Sequence, residues 1–287
     1  MTRLPITKTP KPYVGGAFIR SESGRTYPLA DARGNFFAHI PQCTRKDLRN
    51  AVEAAAKAGP GWARRTAYNR GQILYRLGEM LEARRLEMID TLVRFGVAAG
   101  AAAREVDAAT DRLVYYAGWA DKYEQVLGNT NPVASPHFNF TVTEPMGVIG
   151  VIAPDAPSLL GLISLVAPII VSGNTVVALA SERTPYPAVL LGEMLATSDL
   201  PGGVVNVLTG FRKELLPTFA THAHLRGLSA VATPEERKAL RLGAAESVKR
   251  VHFSELTGAA WFRDEAESLY AVRDFLEFKT TWHPIGA

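Results

Sequence analysis

The sequence predicts an α/β protein whose main element is a doubly wound, mostly parallel sheet, with helices before it and a small β arm beside it. Between residues 147 and 255, short apolar runs alternate with segments of helical length. Such alternation is typical of βαβ units in a parallel sheet. The run at 148–153 is almost continuously apolar, as expected of a strand buried on both faces. Residues 44–126 instead carry apolar side chains at helical spacing.

Composition and charge argue against some classes of function. The chain has 287 residues, which suggests one large or two modest domains, and a net charge of +4. Its basic residues form no dense run, so nucleic acid is not an expected partner. The longest mainly apolar run, 159–171, is shorter than the roughly 20 residues that span a bilayer, so no membrane contact is expected. Residues 1–5 contain no apolar signal region, and a cytoplasmic location follows by default.

The first half of the chain is predicted to contain one hairpin and four helices. Turns with glycine make residues 13–40 typical of a small hairpin. The first helix should begin after Thr44, because Asp47 stands three residues later and the two resemble a capping box. The fourth helix is expected over about 102–126. The apolar positions at helical spacing in the second, third and fourth helices are Ile73, Leu77, Met80, Leu81, Leu86, Ile89, Leu92, Val93, Val106, Leu113, Tyr116 and Trp119.

The second half is predicted to alternate strands and helices after one edge strand. Phe138, Phe140 and Val142 alternate with polar residues, which indicates a strand with one buried face. The strands that follow are expected at 148–153, 175–179, 204–208, 228–232 and 251–255. The helices between them are expected to end near 171, to cover 186–197, to follow 208, and to cover 234–247.

Several ordered motifs resemble those of NAD(P)-dependent aldehyde dehydrogenases. Residues 144–154 read E-P-M-G-V-I-G-V-I-A-P and are similar to the family's E-P-x-G-V-V-G-x-I-x-P. Residues 200–210, L-P-G-G-V-V-N-V-L-T-G, resemble L-P-P-G-V-V-N-V-V-x-G. Residues 254–258, S-E-L-T-G, resemble L-E-L-G-G, the segment with a catalytic glutamate. The resemblance implies a Rossmann-like NAD-binding domain, a catalytic domain and a small oligomerisation arm.

The catalytic domain of that family is missing from the interior of this chain. Phe275 opens a segment that resembles the family's C-terminal strand, and only the sixteen residues 259–274 separate it from Gly258. A domain needs about 50–200 residues. The resemblance therefore implies a Rossmann-like domain over 1–126 and 144–262, an arm over 127–143 and 273–287, and no catalytic domain.

The catalytic residues that the resemblance implies are also incomplete. Aldehyde oxidation needs a thiolate nucleophile, an oxyanion donor and a base for deacylation. Cys43, the one cysteine, lies far upstream of the family's nucleophile, and we interpret it as a buried or incidental thiol. Ala156 replaces the family's oxyanion asparagine. Glu255 keeps the general-base position but has no acyl-enzyme to hydrolyse, so no catalytic residue is expected.

The same comparison with the family shows that several cofactor-binding positions are replaced in this chain. Leu179 replaces the family lysine that binds the adenosine ribose, whereas Glu182 and Gly210 are retained. Thr233 and Pro234 replace a Gly-Ser pair whose N–H groups face the pyrophosphate, and proline has no N–H to donate. No cofactor is expected, and any binding of NAD should be weak. No metal site is expected either.

The sequence thus predicts a pseudoenzyme that assembles with a complete aldehyde dehydrogenase and supports or regulates it. Its interface is expected on the arm, at Phe138, Phe140, Phe275, Phe278 and Trp282. Two other functions stay open: a nucleotide-binding regulatory module, and aldehyde oxidation in an active site completed by a partner chain. A homodimer formed through the helix at 234–247 is the alternative assembly.

Overall fold

The structure, a computed structural model, describes residues 8–286. The expectation for residues 1–5, and positions 1–7 and 287 of the predicted domain and arm, lie outside this range. Within it the strands are β1 (Tyr13–Val14), β2 (Ala17–Phe18), β3 (Thr26–Ala30), β4 (Phe36–Pro41), β5 (Asn129–Asn131), β6 (His137–Pro145), β7 (Val148–Ile152), β8 (Thr175–Leu179), β9 (Val205–Leu208), β10 (Leu225–Ala230), β11 (Arg250–Phe253) and β12 (Leu276–Pro284). The α-helices are α1 (Arg45–Ala63), α2 (Ala67–Ala83), α3 (Arg85–Arg94), α4 (Ala99–Trp119), α5 (Tyr123–Leu127), α6 (Ser158–Val171), α7 (Tyr186–Leu195), α8 (Arg212–Thr221), α9 (Pro234–Ala245) and α10 (Leu269–Arg273).

The central sheet confirms the predicted doubly wound α/β fold. Its strand order is β11-β10-β7-β8-β9-β1-β2, and the five strands from β7 to β11 are parallel. The chain winds from β7 through β8 to β9, and then continues through β10 and β11 on the other side of β7. The order therefore reverses between β7 and β10. Folds of this kind bind ligands outside the carboxyl ends of the strands at such a switch point.

Two apolar clusters enclose the sheet, one on each face. Successive side chains of a strand point to opposite faces. In β7, Ile149 and Val151 accordingly belong to one cluster, while Val148 and Ile152 belong to the other. Helices α2, α4, α6 and α7 contribute to the first cluster, and α1 and α8 to the second. Among residues 8–286, no helix is both long and apolar enough to cross a membrane.

The N-terminal region contains two hairpins, and the single hairpin predicted over 13–40 is wrong. β1 and β2 are joined through Gly15 and Gly16, both with positive φ, as a two-residue hairpin turn requires. β1 also pairs with β9, so this hairpin extends the central sheet. β3 and β4 form the second hairpin as a separate two-stranded sheet. Two turns, one at 15–16 and one at 31–35, each close their own pair of strands.

Local chemistry explains where two of the N-terminal helices begin and end. α1 begins as predicted, with Thr44 as its N-cap and the Thr44 N–H donating to Asp47 at 2.7 Å. The expected fourth helix is instead divided into α4 and α5 by a turn at 120–122. This turn brings Tyr123 into the core, where its hydroxyl accepts a hydrogen bond from buried Arg70 at 3.2 Å. That buried contact accounts for the break.

The segment at 254–275, called the linker here, closes against the helices on one face of the sheet. Trp261 is 1% exposed, and Ala266 and Val272 are also buried. The buried Arg112 of α4 holds the linker in place: it donates to the carbonyl oxygens of Trp261 and Ala266 at 3.1 and 2.9 Å, and to Glu267 at 3.1 Å. The linker thus completes the core beside α4.

A separate three-stranded antiparallel sheet, β5-β6-β12, forms the arm. The prediction of one buried apolar face on β6 is wrong for this chain. Phe138 and Val142 are 47% and 43% exposed, whereas Asn139 between them is 2% exposed. Asn139 accepts a hydrogen bond from Asn131 of β5 at 2.6 Å, so this polar residue of β6 is better covered than its apolar neighbours. The apolar face is exposed because no other layer of residues 8–286 covers it.

Candidate functional site

A cavity of about 1030 Å³ opens at the switch point between β7 and β10. It lies between helices α8 and α9, and it includes Pro154, which follows β7, and Val231, which follows β10. Apolar side chains form much of its lining, including Leu216 and Pro217 of α8 and Ala239 of α9. A large concave site at this position is the default ligand site of an open α/β sheet.

Arg212, the first residue of α8, spans this crevice. Its Nη1 donates to the carbonyl oxygen of Ala153 at 3.0 Å, and its Nη2 donates to that of Val231 at 2.6 Å. Its Nε and Nη2 also donate to the two carboxylate oxygens of Glu236, at 2.9 and 2.8 Å. The guanidinium therefore joins the ends of β7 and β10 to the first turn of α9.

Three helix N-termini at this edge of the sheet, those of α6, α8 and α9, are capped by carboxylates of the chain itself. Helix N-termini present unpaired N–H groups and a positive dipole end, which is why they bind phosphates. Here the N–H groups of Leu159 (α6), Arg212 (α8) and Thr233 (α9) donate to Glu105 at 2.8 Å, to Glu182 at 2.7 Å and to Glu236 at 3.0 Å, respectively. A phosphate at any of these positions would have to displace a carboxylate.

Hydrogen bonds and burial shift the pKa values of the acidic residues at these helix ends. The hydrogen bond from Arg212 lowers the pKa of Glu236, so this carboxylate is charged at neutral pH. Backbone and Thr233 hydrogen bonds likewise lower the pKa of Glu235 in the same turn. Burial, in contrast, raises the pKa of Glu105, which is 4% exposed. The first turn of α9 therefore carries two carboxylates, of which Glu236 is paired with Arg212 and Glu235 is exposed.

These residues do not fit the pyrophosphate of a dinucleotide. Tight binding would need N–H groups or cations that are not already engaged. Arg212 and the capped helix ends have internal acceptors, and Pro234 at the first position of α9 has no N–H. What stays open is the groove between α8 and α9, whose lining is largely apolar but also includes the basic residues Arg183 and Lys213.

The structure brings only some of the predicted cofactor positions to the crevice. Glu182 and Thr233 line it. Leu179 is 0% exposed and belongs to an apolar cluster, so its side chain has a packing role. Gly210 has φ +144°, and an added Cβ would lie 3.2 Å from backbone atoms of Cys43. The close approach of two chain segments therefore accounts for Gly210 without a ligand.

The three positions discussed as catalytic, Glu255, Cys43 and Ala156, lie in different surroundings. Glu255 is exposed and pairs with Arg237, whose Nη2 donates to it at 3.0 Å. That hydrogen bond lowers the pKa of Glu255, whereas an efficient base has a pKa near the working pH. Cys43 is 0% exposed, and burial raises the pKa of its thiol to about 12. Ala156 is exposed just before α6 and has no side-chain donor.

The predicted interface residues of the arm do not form one surface. Residues paired across an antiparallel ladder share a face. Phe278 is opposite Thr143 and Trp282 is opposite Asn139, so these two aromatic residues lie on the face opposite to Phe138. Phe138 and Phe140 pack together, with ring centroids 5.4 Å apart. The arm therefore has two faces with exposed aromatic residues, one on each side.

Phe275 must be removed from the predicted interface. It is 3% exposed, and its carbonyl oxygen accepts a hydrogen bond from Asn174 at 2.8 Å. Its ring lies about 3.1 Å from the position that a Cβ on Gly227 would take. Phe275 is therefore a core residue that anchors the base of the arm.

Sequence reasoning missed Arg212, Glu236 and Glu105. Thr233 and Glu236 form a capping box, whose spacing is readable from sequence. Arg212 carried no such signal, because its partners lie on strands and helices far away in the chain.

Comparisons with known proteins agree on one family. A model of the "Aldehyde dehydrogenase family" matches residues 18–262. The chain is similar to retinal dehydrogenase 2 of Gallus gallus, with 34% identity over 251 residues, which cover 85% of this chain and 48% of that protein. It is 31% identical to "Aldehyde dehydrogenase, cytosolic 1" of Elephantulus edwardii, covering 88% of this chain and 51% of that protein. The chain spans about half the length of the curated relatives it matches.

Solved structures give the same result. The chain is similar to HpcC of Thermus thermophilus, with a TM-score of 0.82, 29% identity, and coverage of 88% of this chain and 48% of that one. It is also similar to the NAD⁺ complex of an aldehyde dehydrogenase from Bacillus cereus, with a TM-score of 0.81, 25% identity, and coverage of 86% and 50%.

Proposed function

The chain belongs to the aldehyde dehydrogenase family, and from that premise we propose that it is a non-catalytic subunit that assembles with a complete aldehyde dehydrogenase and supports or regulates it. The observation that carries the proposal is the contrast between a linker that closes the core with Trp261 and an arm that no other layer of residues 8–286 covers. Trp261 of the linker is 1% exposed, whereas Trp282 of the arm is 57% exposed. The chain thus needs no catalytic domain of its own to complete its core, but its arm stays uncovered.

The lack of catalysis is supported by the placement of the candidate groups. Cys43 is buried with a raised thiol pKa, and Glu255 is engaged by Arg237. Between Gly258 and Phe275 there are only the residues 259–274, too few for a domain. We therefore propose that the chain by itself does not oxidise aldehydes.

The assembly is supported by the chemistry of the arm. β5 and β12 are the outer strands of its sheet, so each has an open edge. Open strand edges beside exposed aromatic side chains promote association unless another chain covers them. By its resemblance to the family, a complete aldehyde dehydrogenase has a catalytic domain that receives such an arm. A partner of that kind, in the cytoplasm, is the proposed occupant.

A nucleotide-binding regulatory module is the second candidate. The size of the crevice and its apolar lining favour it. The carboxylate caps and Arg212 count against phosphorylated ligands. An active site completed by a partner chain would have to work with a Glu255 that is already paired.

Co-expression tests the proposal. A tagged form of this chain would be expressed with each complete aldehyde dehydrogenase of its own cell, and the purified material analysed by size-exclusion chromatography with light scattering. We expect a hetero-oligomer with one of them. The Trp282→Ser and Phe278→Ser double variant should lose the complex, because both exposed aromatic residues of one arm face are removed.

The matched control is Phe36→Ser, since Phe36 is also a large exposed residue, at 62%, but lies on β4 outside the arm. A deletion should start after Leu276, because Phe275 and Leu276 are core residues. A stable homodimer that ignores every complete homologue, with or without the arm substitutions, would contradict the proposal.

A further inference from the structure

Arg212 joins the two halves of the central sheet at the switch point. Its Nη1 and Nη2 donate to the carbonyl oxygens of Ala153 and Val231, which follow β7 and β10. These are the strands from which the chain winds in opposite directions. The side chain therefore lies across the crevice in which an open α/β sheet holds its ligand.

The donors of this arginine are almost all engaged. A guanidinium presents five N–H groups. One goes to Ala153, one to Val231 and two to the carboxylate of Glu236. The side chains of Arg212 and Glu236 are only 14% and 22% exposed. A bidentate arginine–carboxylate pair is among the strongest hydrogen-bonded contacts in proteins, so a phosphate cannot easily take either partner.

Glu236 also takes the place of an anion at the N-terminus of α9. Its carboxylate accepts the N–H of Thr233 at 3.0 Å. It is the third residue of α9 and completes a capping box with Thr233. A bound phosphate would satisfy the same N–H groups and the same dipole end. One carboxylate therefore neutralises both the helix end and the arginine.

We propose that Arg212 and Glu236 are an internal replacement for the pyrophosphate of a dinucleotide. The arginine bridges the two strand ends, and the glutamate fills the anion position. The pair closes the anion position at the ends of β7 and β10 to a phosphate and makes the stability of the sheet independent of a cofactor. This inference goes beyond the proposed function, because it needs no partner chain and concerns a different part of the molecule.

Thermal unfolding with NAD and with inorganic pyrophosphate tests the inference. The Tm of the unaltered protein should not change with millimolar NAD. The double variant Arg212→Ala, Glu236→Ala should have a lower Tm without ligand and should gain about 3 °C with NAD. Arg250→Ala is the matched control, since Arg250 donates to the carbonyl oxygens of Asp274 and Leu276 at 2.9 Å, away from the crevice. It should lose stability without gaining a response to NAD.

Two outcomes would overturn the inference. One is a rise in the Tm of the unaltered protein with NAD that Arg212→Ala abolishes, because Arg212 would then be a phosphate ligand. The other is a folded double variant whose Tm does not respond to NAD or pyrophosphate. If the double variant does not fold, the Arg212 Nε–H resonance of the unaltered protein gives the answer. We expect slow exchange with water that NAD leaves unchanged, and a shift on adding NAD would refute the replacement.

Discussion

The linker and the arm follow one another in the chain, and a tryptophan in each has opposite surroundings, although Phe262 and Tyr270 of the linker are also exposed, at 44% and 62%. In the linker, Trp261 is buried and its carbonyl oxygen is held by Arg112. In the arm, Trp282 is exposed and contacts His137 at its side, with ring centroids 5.7 Å apart. Trp261 is therefore covered by other residues of the chain, whereas Trp282 is not.

The difference indicates what the chain can and cannot do alone. Apolar surface is exposed to water wherever no other layer covers it. The linker covers part of α4 and α6 with Trp261 and Val272, which are buried, while its Phe262 and Tyr270 stay exposed. The arm retains exposed aromatic residues on both faces. The linker thus closes the core at Trp261, whereas the aromatic residues of the arm are available for assembly.

The largest difference in the free energy of unfolding is expected between variants of the two tryptophans. Trp261→Ala should destabilise the isolated chain by about 3–5 kcal/mol, because it removes a fully buried aromatic side chain and leaves a cavity. Trp282→Ala should change its stability by less than about 0.5 kcal/mol, because the side chain is mostly in water. Urea unfolding of both variants measures this. Equal costs would break the comparison between the buried Trp261 and the exposed Trp282.

The next largest loss of stability is expected on substitution of Arg112. Arg112→Ala should cost about 3 kcal/mol, because it removes a buried cation and leaves two linker carbonyls and Glu267 without their donor. Arg85→Ala is the control: Arg85 pairs with Asp107 at 2.6 Å, but both side chains are partly exposed, and the expected cost is below about 1 kcal/mol. In addition, limited proteolysis should cut the Arg112→Ala variant within 254–275. An intact linker in that variant would show that Arg112 does not hold it.

The smallest effect concerns Glu105, which is buried on α4 and caps the N-terminus of α6. Burial raises its pKa above the ordinary value, so the folded state binds the proton more tightly than the unfolded state. Stability from this group is therefore fully present at low pH and is lost as the pH rises through the folded pKa. Glu105→Gln removes this dependence, so the stability of the variant relative to the unaltered protein should increase with pH above 4.5. Unfolding by urea at several pH values tests it, and an opposite slope would refute it.

The parts of the fold with a local signal could be predicted from the sequence. β8 is found at the predicted 175–179, and β7 differs by one residue from 148–153, since continuous apolar runs mark strands buried on both faces. The start of α1 followed from its capping box. The division between α4 and α5 could not be predicted, because it depends on a contact between Tyr123 and the distant Arg70.

In the arm and the crevice, too, the sequence could predict only those features that have a local signal. Alternation gave the β6 strand, but it could not tell which face is covered, because that depends on a layer that this chain does not provide within residues 8–286. Phe275 is adjacent to the C-terminal strand, and only the packing against Gly227 reveals it as core. In the crevice, substitutions such as Pro234 indicated that family contacts to the cofactor are lost. The role of Arg212 could be recognised only from its contacts in the structure.

Hydrogen exchange tests the contrast between linker and arm most directly. In the isolated chain, at a concentration where light scattering gives the monomer mass, we predict protected amides in α4, in α6 and in the linker segment that packs on them. The amides at the open edge of β12 should exchange rapidly. After addition of the complete aldehyde dehydrogenase found by co-expression, the β12 amides should become protected while those of the linker stay the same. Protection of the β12 edge in the isolated monomer, or protection in the complex confined to the linker, would contradict this account.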